Sequence, residues 1–301
     1  MNQPNFIIIG AAKSGTTTLY EYLCRHRQVY MSLPKEPDFF SLDSNYARGI
    51  DWYRSLFASA QSDQICGEAS TTYSRLQQHP KTIERLVDVL PNAKLIYIMR
   101  HPVDRAYSFY TYRFKGSQQN AEFLAARNEL VTARTFEQAI EQNSEFIDSS
   151  YYLYQINKYL EYYPKESFLF LLMEDLIHQP EEEIKKICDF IGVDSTINLM
   201  PEGEIVANQA GDQPEWYVRQ QLTSGFKSIP GASLVKNLLP QAVKDTAYET
   251  IKSLKYKQWK SEQYMPPPMR PETRQNLLEQ FKQPNQQLAE FLGRDLSHWN
   301  S

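Results

Sequence analysis

Cysteine is scarce. Cys24, Cys66 and Cys188 are the three among 301 residues, without the CxxC spacing of a zinc site. That excludes a disulfide framework and suits a reducing cytosol. No apolar run reaches the ~18 residues of a membrane span. The first residues lack the charged, apolar and small-residue regions of a signal peptide. The expectation is a soluble, cytoplasmic protein with no membrane partner. No excess of basic charge is present either: 32 Lys and Arg face 36 Asp and Glu, a net charge of −4. That argues against general nucleic-acid binding but leaves room for a local basic site. Internal repeats and long low-complexity tracts are also missing. Residues 1–301 therefore read as one domain, and with 42% hydrophobic residues it can bury a core without metal or disulfide staples.

What is present begins with Phe6-Ile7-Ile8-Ile9, a continuous β-branched run of the kind found in buried parallel strands. It runs into Gly10-Ala11-Ala12-Lys13-Ser14-Gly15-Thr16-Thr17-Thr18, after which Leu19, Tyr20, Leu23 and Cys24 recur at helical spacing. Leu95-Ile96-Tyr97-Ile98-Met99 is a second strand, closed by Arg100-His101-Pro102, where proline can open a helix running to about Lys115. Residues 168–172 read as a third strand, with 29–31 and 65–67 as weaker candidates. The spacing predicts helices over 76–90, 150–163 and 180–191. Pro266-Pro267-Pro268 precedes a C-terminal helix with Leu277, Leu278 and Phe281 on one face, which Pro284 is expected to end or kink. Alternating strands and helices give an α/β class, a central parallel sheet covered by helices on both faces. Residues 198–265 are less regular, with helices expected near 214–222 and 241–254.

The loop at 10–18 carries chemistry. A helix N-terminus at the end of a parallel strand offers unpaired N–H groups and a positive dipole end. Gly10 and Gly15 allow tight turns and close approach, Lys13 adds a charge, and Ser14, Thr16, Thr17 and Thr18 add hydroxyls. A phosphate-like anion belongs there. In a nucleotide triphosphatase loop, GxxxxGK[ST], lysine follows the second glycine and a hydroxyl helps bind Mg²⁺. Here Lys13 precedes Gly15. The plain alternative is a glycine-bearing connection with a solvated lysine, which four clustered hydroxyl residues make the weaker reading.

KSGTTTL after an apolar strand resembles the 5′-phosphosulfate loop of sulfotransferases that use 3′-phosphoadenosine-5′-phosphosulfate (PAPS). Residues 100–110, RHPVDRAYSFY, resemble the family's RxPxxRxxSxY pattern. The resemblance implies a P-loop-like fold, PAPS as co-substrate with 3′-phosphoadenosine-5′-phosphate (PAP) as product, and Arg100 and Ser108 on the 3′-phosphate. Guanidinium plus hydroxyl is a sound phosphate clamp. For Arg105 a structural salt bridge is expected, and for His101 no special role. KEPDFF at 35–40, GIDWY at 49–53 and GEAS at 67–70 are similar to landmarks of heparan-sulfate-type sulfotransferases and their bacterial relatives. MRPETR at 269–274 and LGRDL at 292–296 resemble the bacterial branch.

In such relatives the glutamate before the paired phenylalanines is the base that takes the acceptor's proton, a role that falls here on Glu36. A solvated loop glutamate beside proline is the ordinary alternative. Glu68, at a strand end, is the second acidic candidate. The family pattern has lysine after that glutamate where this chain has Ala69, which weakens any transfer of acceptor recognition from glycan-modifying relatives. The expected catalytic set is Lys13, Glu36 and Glu68, with no metal. Lys13 and the loop amides would stabilise charge on the leaving phosphate oxygen.

The tyrosines at 151, 152, 154, 159, 162 and 163 read first as packing against the sheet, with one ring free to stack on adenine. His26, His79, His178 and His298 read as ordinary histidines. Trp216 and Lys227 fall where relatives place a lid, and neither is assigned a contact. The expected function is sulfuryl transfer to a hydroxyl or amine of a small-molecule or natural-product acceptor. The alternatives are a P-loop kinase, or a catalytically inactive PAP-binding scaffold.

Overall fold

A computed structural model describes residues 3–199 and 265–301. The helices expected near 214–222 and 241–254, and Trp216 and Lys227, lie outside the described residues.

Five parallel strands form one sheet: β1 (Phe6–Gly10), β2 (Val29–Met31), β3 (Ile65–Ala69), β4 (Lys94–Met99) and β5 (Phe168–Leu172), in the order β2-β3-β1-β4-β5. Their apolar continuity follows from burial on both sides. Alternate residues of β1 feed opposite cores, Phe6 and Ile8 one, Ile7 and Ile9 the other. The first core is closed by α1 (Thr16–Cys24), through Leu19 and Leu23, and α11 (Pro180–Ile191), through Ile184 and Ile187. The second is closed by α3 (Ile50–Ser55), α4 (Thr82–Val89) and α9 (Tyr152–Leu160), through Tyr53, Leu86 and Tyr159. Each such side chain, fully buried, contributes about 1.5–3 kcal/mol.

The remaining helices among the described residues are α2 (Asp43–Tyr46), α5 (Pro102–Gln119), α6 (Ala121–Ala126), α7 (Phe136–Gln142), α8 (Glu145–Asp148), α10 (Met173–His178) and α12 (Pro271–Leu292). None of the described helices is long and apolar enough to cross a membrane.

Two expectations need correction, and a third is narrowed to one of its alternatives. The helix expected over 76–90 begins only at Thr82. Pro80 disfavours helical backbone at His79, and Leu76 donates its N–H to the Gln155 side chain at 3.2 Å instead. The helix expected over 150–163 is confined to Tyr152–Leu160. Pro284 does not end α12, which runs through it to Leu292. An interior proline costs about 3 kcal/mol. Here Phe281 and Leu288 are buried on either side of it, and Asn285 donates to the Trp299 carbonyl at 3.4 Å.

Gly67 pairs with Phe6 across β3 and β1, and a Cβ there would stand 2.1 Å from Phe6 Cζ, whose ring is wholly buried. Gly67→Ala should therefore destabilise the protein by about 1–3 kcal/mol, as overpacking of a filled core does. A lower urea midpoint at unchanged slope would show it.

Candidate functional site

β1 and β4 are neighbours, yet the chain leaves β1 towards β2 and leaves β4 towards β5. The crevice between their carboxyl ends is thus the switch point where α/β sheets bind ligands. The 10–18 loop lines one wall. Gly10 has φ 148 and Gly15 has φ 94, and a Cβ on Gly10 would fall 2.0 Å from Ser74 Oγ. Lys13, at φ 70, is a left-handed non-glycine residue held in that turn. Ala11 donates its N–H to the Ile98 carbonyl at 2.7 Å, tying the loop to β4. The N-terminus of α1 carries no side-chain cap, so its first N–H groups face the crevice undiverted. Ser14 and Thr16 are buried, while Thr17 and Thr18 are half-buried.

Lys13 Nζ lies 4.3 Å from the centre of the Tyr112 ring. Burial, then the Arg100 guanidinium, push its ammonium down to about 8, while Glu36 pulls the other way. This is a cation short of counter-charge, and an incoming anion would relieve it.

The second wall is Arg100, whose NH1 donates to the Lys13 carbonyl at 3.3 Å. Tyr152 brackets the Arg100 backbone: its hydroxyl donates to the Arg100 carbonyl at 2.6 Å and accepts from its N–H at 3.4 Å. His101 has a definite role, capping α5, with Nδ1 accepting the Asp104 N–H at 3.4 Å and Pro102 in the first turn. Ser108 stands two turns into α5, half-buried, one turn before Tyr112. The loop and α5 thus bring Lys13, Arg100 and Tyr112 together at one crevice, with Ser108 one helical turn from Tyr112.

Arg105 points away from it. Its guanidinium is buried and donates to Ser150 Oγ at 2.6 Å and to the Phe146 carbonyl at 2.5 Å. Its role is structural, as expected, but its acceptors are a hydroxyl and a carbonyl rather than the partner of a salt bridge.

Residues 35–40 form the third wall. Phe39 and Phe40 pack on Tyr53, Phe39 stacking at 4.5 Å between ring centres, so the KEPDFF and GIDWY segments meet in one aromatic cluster. Glu36 donates its N–H to the Ala69 carbonyl at 2.9 Å, and Lys35 Nζ lies 2.6 Å from Glu36 Oε1. Asp38 is gripped from several directions: its N–H donates to Ser70 Oγ at 3.1 Å, and its carboxylate accepts from Thr72 Oγ1 at 2.7 Å and Arg127 at 2.8 Å. Burial, with Glu36 beside it, pushes the Asp38 carboxyl up, and Arg127 and Thr72 counter the push. Arg127 continues to Glu129 at 3.4 Å, and Glu129 and Glu145 pair with Arg75 and Arg113 behind it.

The two acidic candidates part company. The Glu36 side chain is 33% exposed. Glu68 is fully buried, and burial pushes its carboxyl up to about 7 although the Tyr53, Tyr73 and Ser70 hydroxyls pull it down.

Tyr152, Tyr159 and Tyr163 are buried in the core beneath the sheet, while Tyr154 and Tyr162 are exposed. His26 and His298 serve as local partners, of the Asp194 carbonyl at 3.0 Å and of Glu174 at 2.9 Å. Lys35, Asp38, Tyr112 and Arg127 were not singled out by sequence reasoning, where Tyr152 reads first as packing. Lys35 and Asp38 lay inside a quoted motif, whereas no local signal could have brought Arg127 to Asp38. Among the described residues no group of three His, Cys, Asp or Glu is placed to hold a metal ion.

The family model described as "Sulfotransferase domain" matches residues 3–269. The chain is similar to heparan sulfate glucosamine 3-O-sulfotransferase 6 of Homo sapiens, 33% identical over 192 residues, which is 63% of this chain and 52% of that protein. It is 29% identical over 212 residues to the human bifunctional heparan sulfate N-deacetylase/N-sulfotransferase 2, covering 65% of this chain and 22% of the relative. The chain thus spans about half the length, or less, of these curated relatives. A solved sulfotransferase from Alicyclobacillus acidocaldarius has the same fold, with a TM-score of 0.65 at 23% identity over 100% of both chains.

Two outcomes follow from the charges. Lys13 should be cationic below about pH 8 and neutral above it, so affinity for pyrophosphate should fall as pH rises through 8. Calorimetry from pH 6.5 to 9.5 would show the fall, and Lys13→Met should abolish it. For Glu68 the folded value, about 7, lies above the ordinary value of 4.5, so the fold favours the protonated acid. Stability from this group is full below the unfolded value and declines as pH rises from about 4.5 to 7. Glu68→Gln should remove that decline and, at pH 8, raise stability by up to ~3 kcal/mol in urea unfolding.

Proposed function

The chain belongs to the sulfotransferase domain family, and on that footing we propose that it moves a sulfuryl group from PAPS to a hydroxyl or amine of a small-molecule acceptor, leaving PAP. The observation that carries the reading is the contact of Arg100 with the Lys13 carbonyl at 3.3 Å. It sets two cationic sites side by side in one crevice, which suits a nucleotide anionic at both ends. The donors fit the two ends differently. Uncapped α1 N–H groups, Lys13 and hydroxyls suit the 5′-phosphosulfate, and the forked guanidinium of Arg100 with Ser108 suits the 3′-phosphate.

PAPS supplies an activated sulfur whose bond to the phosphate oxygen breaks as the acceptor attacks from the opposite side. Glu36 takes the acceptor's proton, so the new bond to sulfur forms without leaving a positive charge on the acceptor's oxygen or nitrogen. Lys13 and the α1 amides stabilise the negative charge that gathers on the departing phosphate oxygen. Glu68, wholly buried among tyrosines, is placed out of the acceptor's reach. The free thiols of Cys24, Cys66 and Cys188 are consistent with a reducing, cytoplasmic setting. The exposed Tyr112 ring, its centre 4.3 Å from Lys13 Nζ, favours an acceptor with an apolar or aromatic body over a highly charged chain.

A PAPS-dependent acceptor screen by mass spectrometry tests the reading. Products heavier by one sulfuryl group are expected, and Lys13→Ala should slow their formation by ~10²–10³. In calorimetry PAP should bind far more tightly than AMP, and Arg100→Ala should erase that preference. Equal binding of PAP and AMP would overturn the assignment. Mg²⁺-dependent ATP turnover that PAPS cannot inhibit would indicate a kinase, and tight PAP binding without transfer to any acceptor an inactive scaffold.

A further inference from the structure

Lys35 is an expensive residue where it stands. Its side chain is 1% exposed, and its ammonium lies 2.6 Å from Glu36 Oε1. Burying an ammonium is strongly unfavourable unless a partner compensates it, and immobilising a lysine side chain adds lost rotamer freedom.

Anchoring the loop does not explain that expense. The loop is already held by Glu36 N–H on the Ala69 carbonyl, Asp38 N–H on Ser70, the Asp38 carboxylate on Thr72 and Arg127, Asn45 on the Pro37 carbonyl, and two buried phenylalanines. The pairing also needs unusual backbone. Successive side chains of an extended segment point to opposite sides. Glu36, at φ 57, breaks that alternation and lets neighbouring residues meet. Such a conformation is disfavoured for any residue with a Cβ.

Lys35 also lies close enough to Lys13 for the two ammonium groups to repel, with Glu36 attracting Lys13. The carboxylate therefore sits among cations at the edge of the crevice. An unrestrained Glu36 could fold onto Lys13 and neutralise the cation meant for the leaving group. A carboxylate clamped on one oxygen by Lys35 keeps its other oxygen for the acceptor. We propose that Lys35 is a positioning residue of the reacting centre, whose ammonium holds the Glu36 carboxylate in the orientation that receives the acceptor's proton. This rests on the reading of Glu36 as the base.

The test follows PAP release from PAPS, with p-nitrophenol as acceptor probe and with water alone, in the full chain. Lys35→Met keeps the buried length without the charge, and Lys35→Arg keeps the charge. Lys35→Met should lower kcat by about 10-fold or more, part of the 10²–10⁴ that a positioned base contributes. The calorimetric Kd for PAP should stay within about twofold, and Lys35→Arg should restore most of the rate. In a Glu36→Gln background, Lys35→Met should cost less than about twofold further, since residues acting as a unit are not additive. Wild-type turnover in Lys35→Met would overturn the inference, as would an undiminished loss in the Glu36→Gln background or a matching loss of PAP affinity. Full turnover in Glu36→Gln would instead overturn the base itself, whatever Lys35→Met does. Where p-nitrophenol gives no PAP release with the unmutated protein, an acceptor from the mass-spectrometric screen replaces it, and no release with any of them would overturn the transfer reading.

Discussion

Arg100 and the Lys13 carbonyl meet at 3.3 Å across the ends of two strands that are far apart in sequence and adjacent in the sheet. One donor thereby fixes the loop conformation that aims the α1 amides, and it also brings a second full positive charge to within range of Lys13. The arrangement is unfavourable by itself: both cations are partly removed from water, and each raises the energy of the other. The fold holds them there through uncharged contacts, among them Tyr152 on the Arg100 backbone and the Ala11 amide on β4. The strain is electrostatic, and an anion relieves it.

The 35–40 wall of the crevice is built by the opposite device. Asp38, Glu129 and Glu145 are buried together with Arg75, Arg113 and Arg127, three acids against three guanidinium groups. Burial works against the charge of Arg127, yet Asp38 and Glu129 outweigh it and hold its pKa above the ordinary range. Glu129 is held low by Arg113, Arg75 and Arg127 although burial opposes it. A buried network of this kind is weak evidence of stability, but breaking it at one member would leave a buried charge without its partner. It makes the 35–40 loop a rigid wall, from which Lys35 and Glu36 face Lys13.

One departure from the resembling family's pattern takes on physical content here. Ala69 stands where that pattern carries lysine, and its carbonyl receives the Glu36 N–H. The ammonium beside Glu36 in this chain is that of Lys35, at 2.6 Å from its carboxylate.

The residue order alone determined that β1, β4 and β5 are buried strands, and it set the expectation of an anion at the 10–18 loop, while a family resemblance supplied the roles expected of Arg100, Ser108 and Glu36. Those readings rest on local signals: continuous apolar runs, glycine placement, and motifs short enough to read along the chain. Only the tertiary structure decided that Glu68 is sealed among tyrosines while Glu36 reaches the crevice, that Arg105 serves neutral acceptors, and that α12 continues through Pro284. Burial and partnership are set by segments distant in the chain, as when Arg127 reaches Asp38 or Phe281 and Leu288 hold a helix across a proline, and no local pattern encodes which distant group arrives.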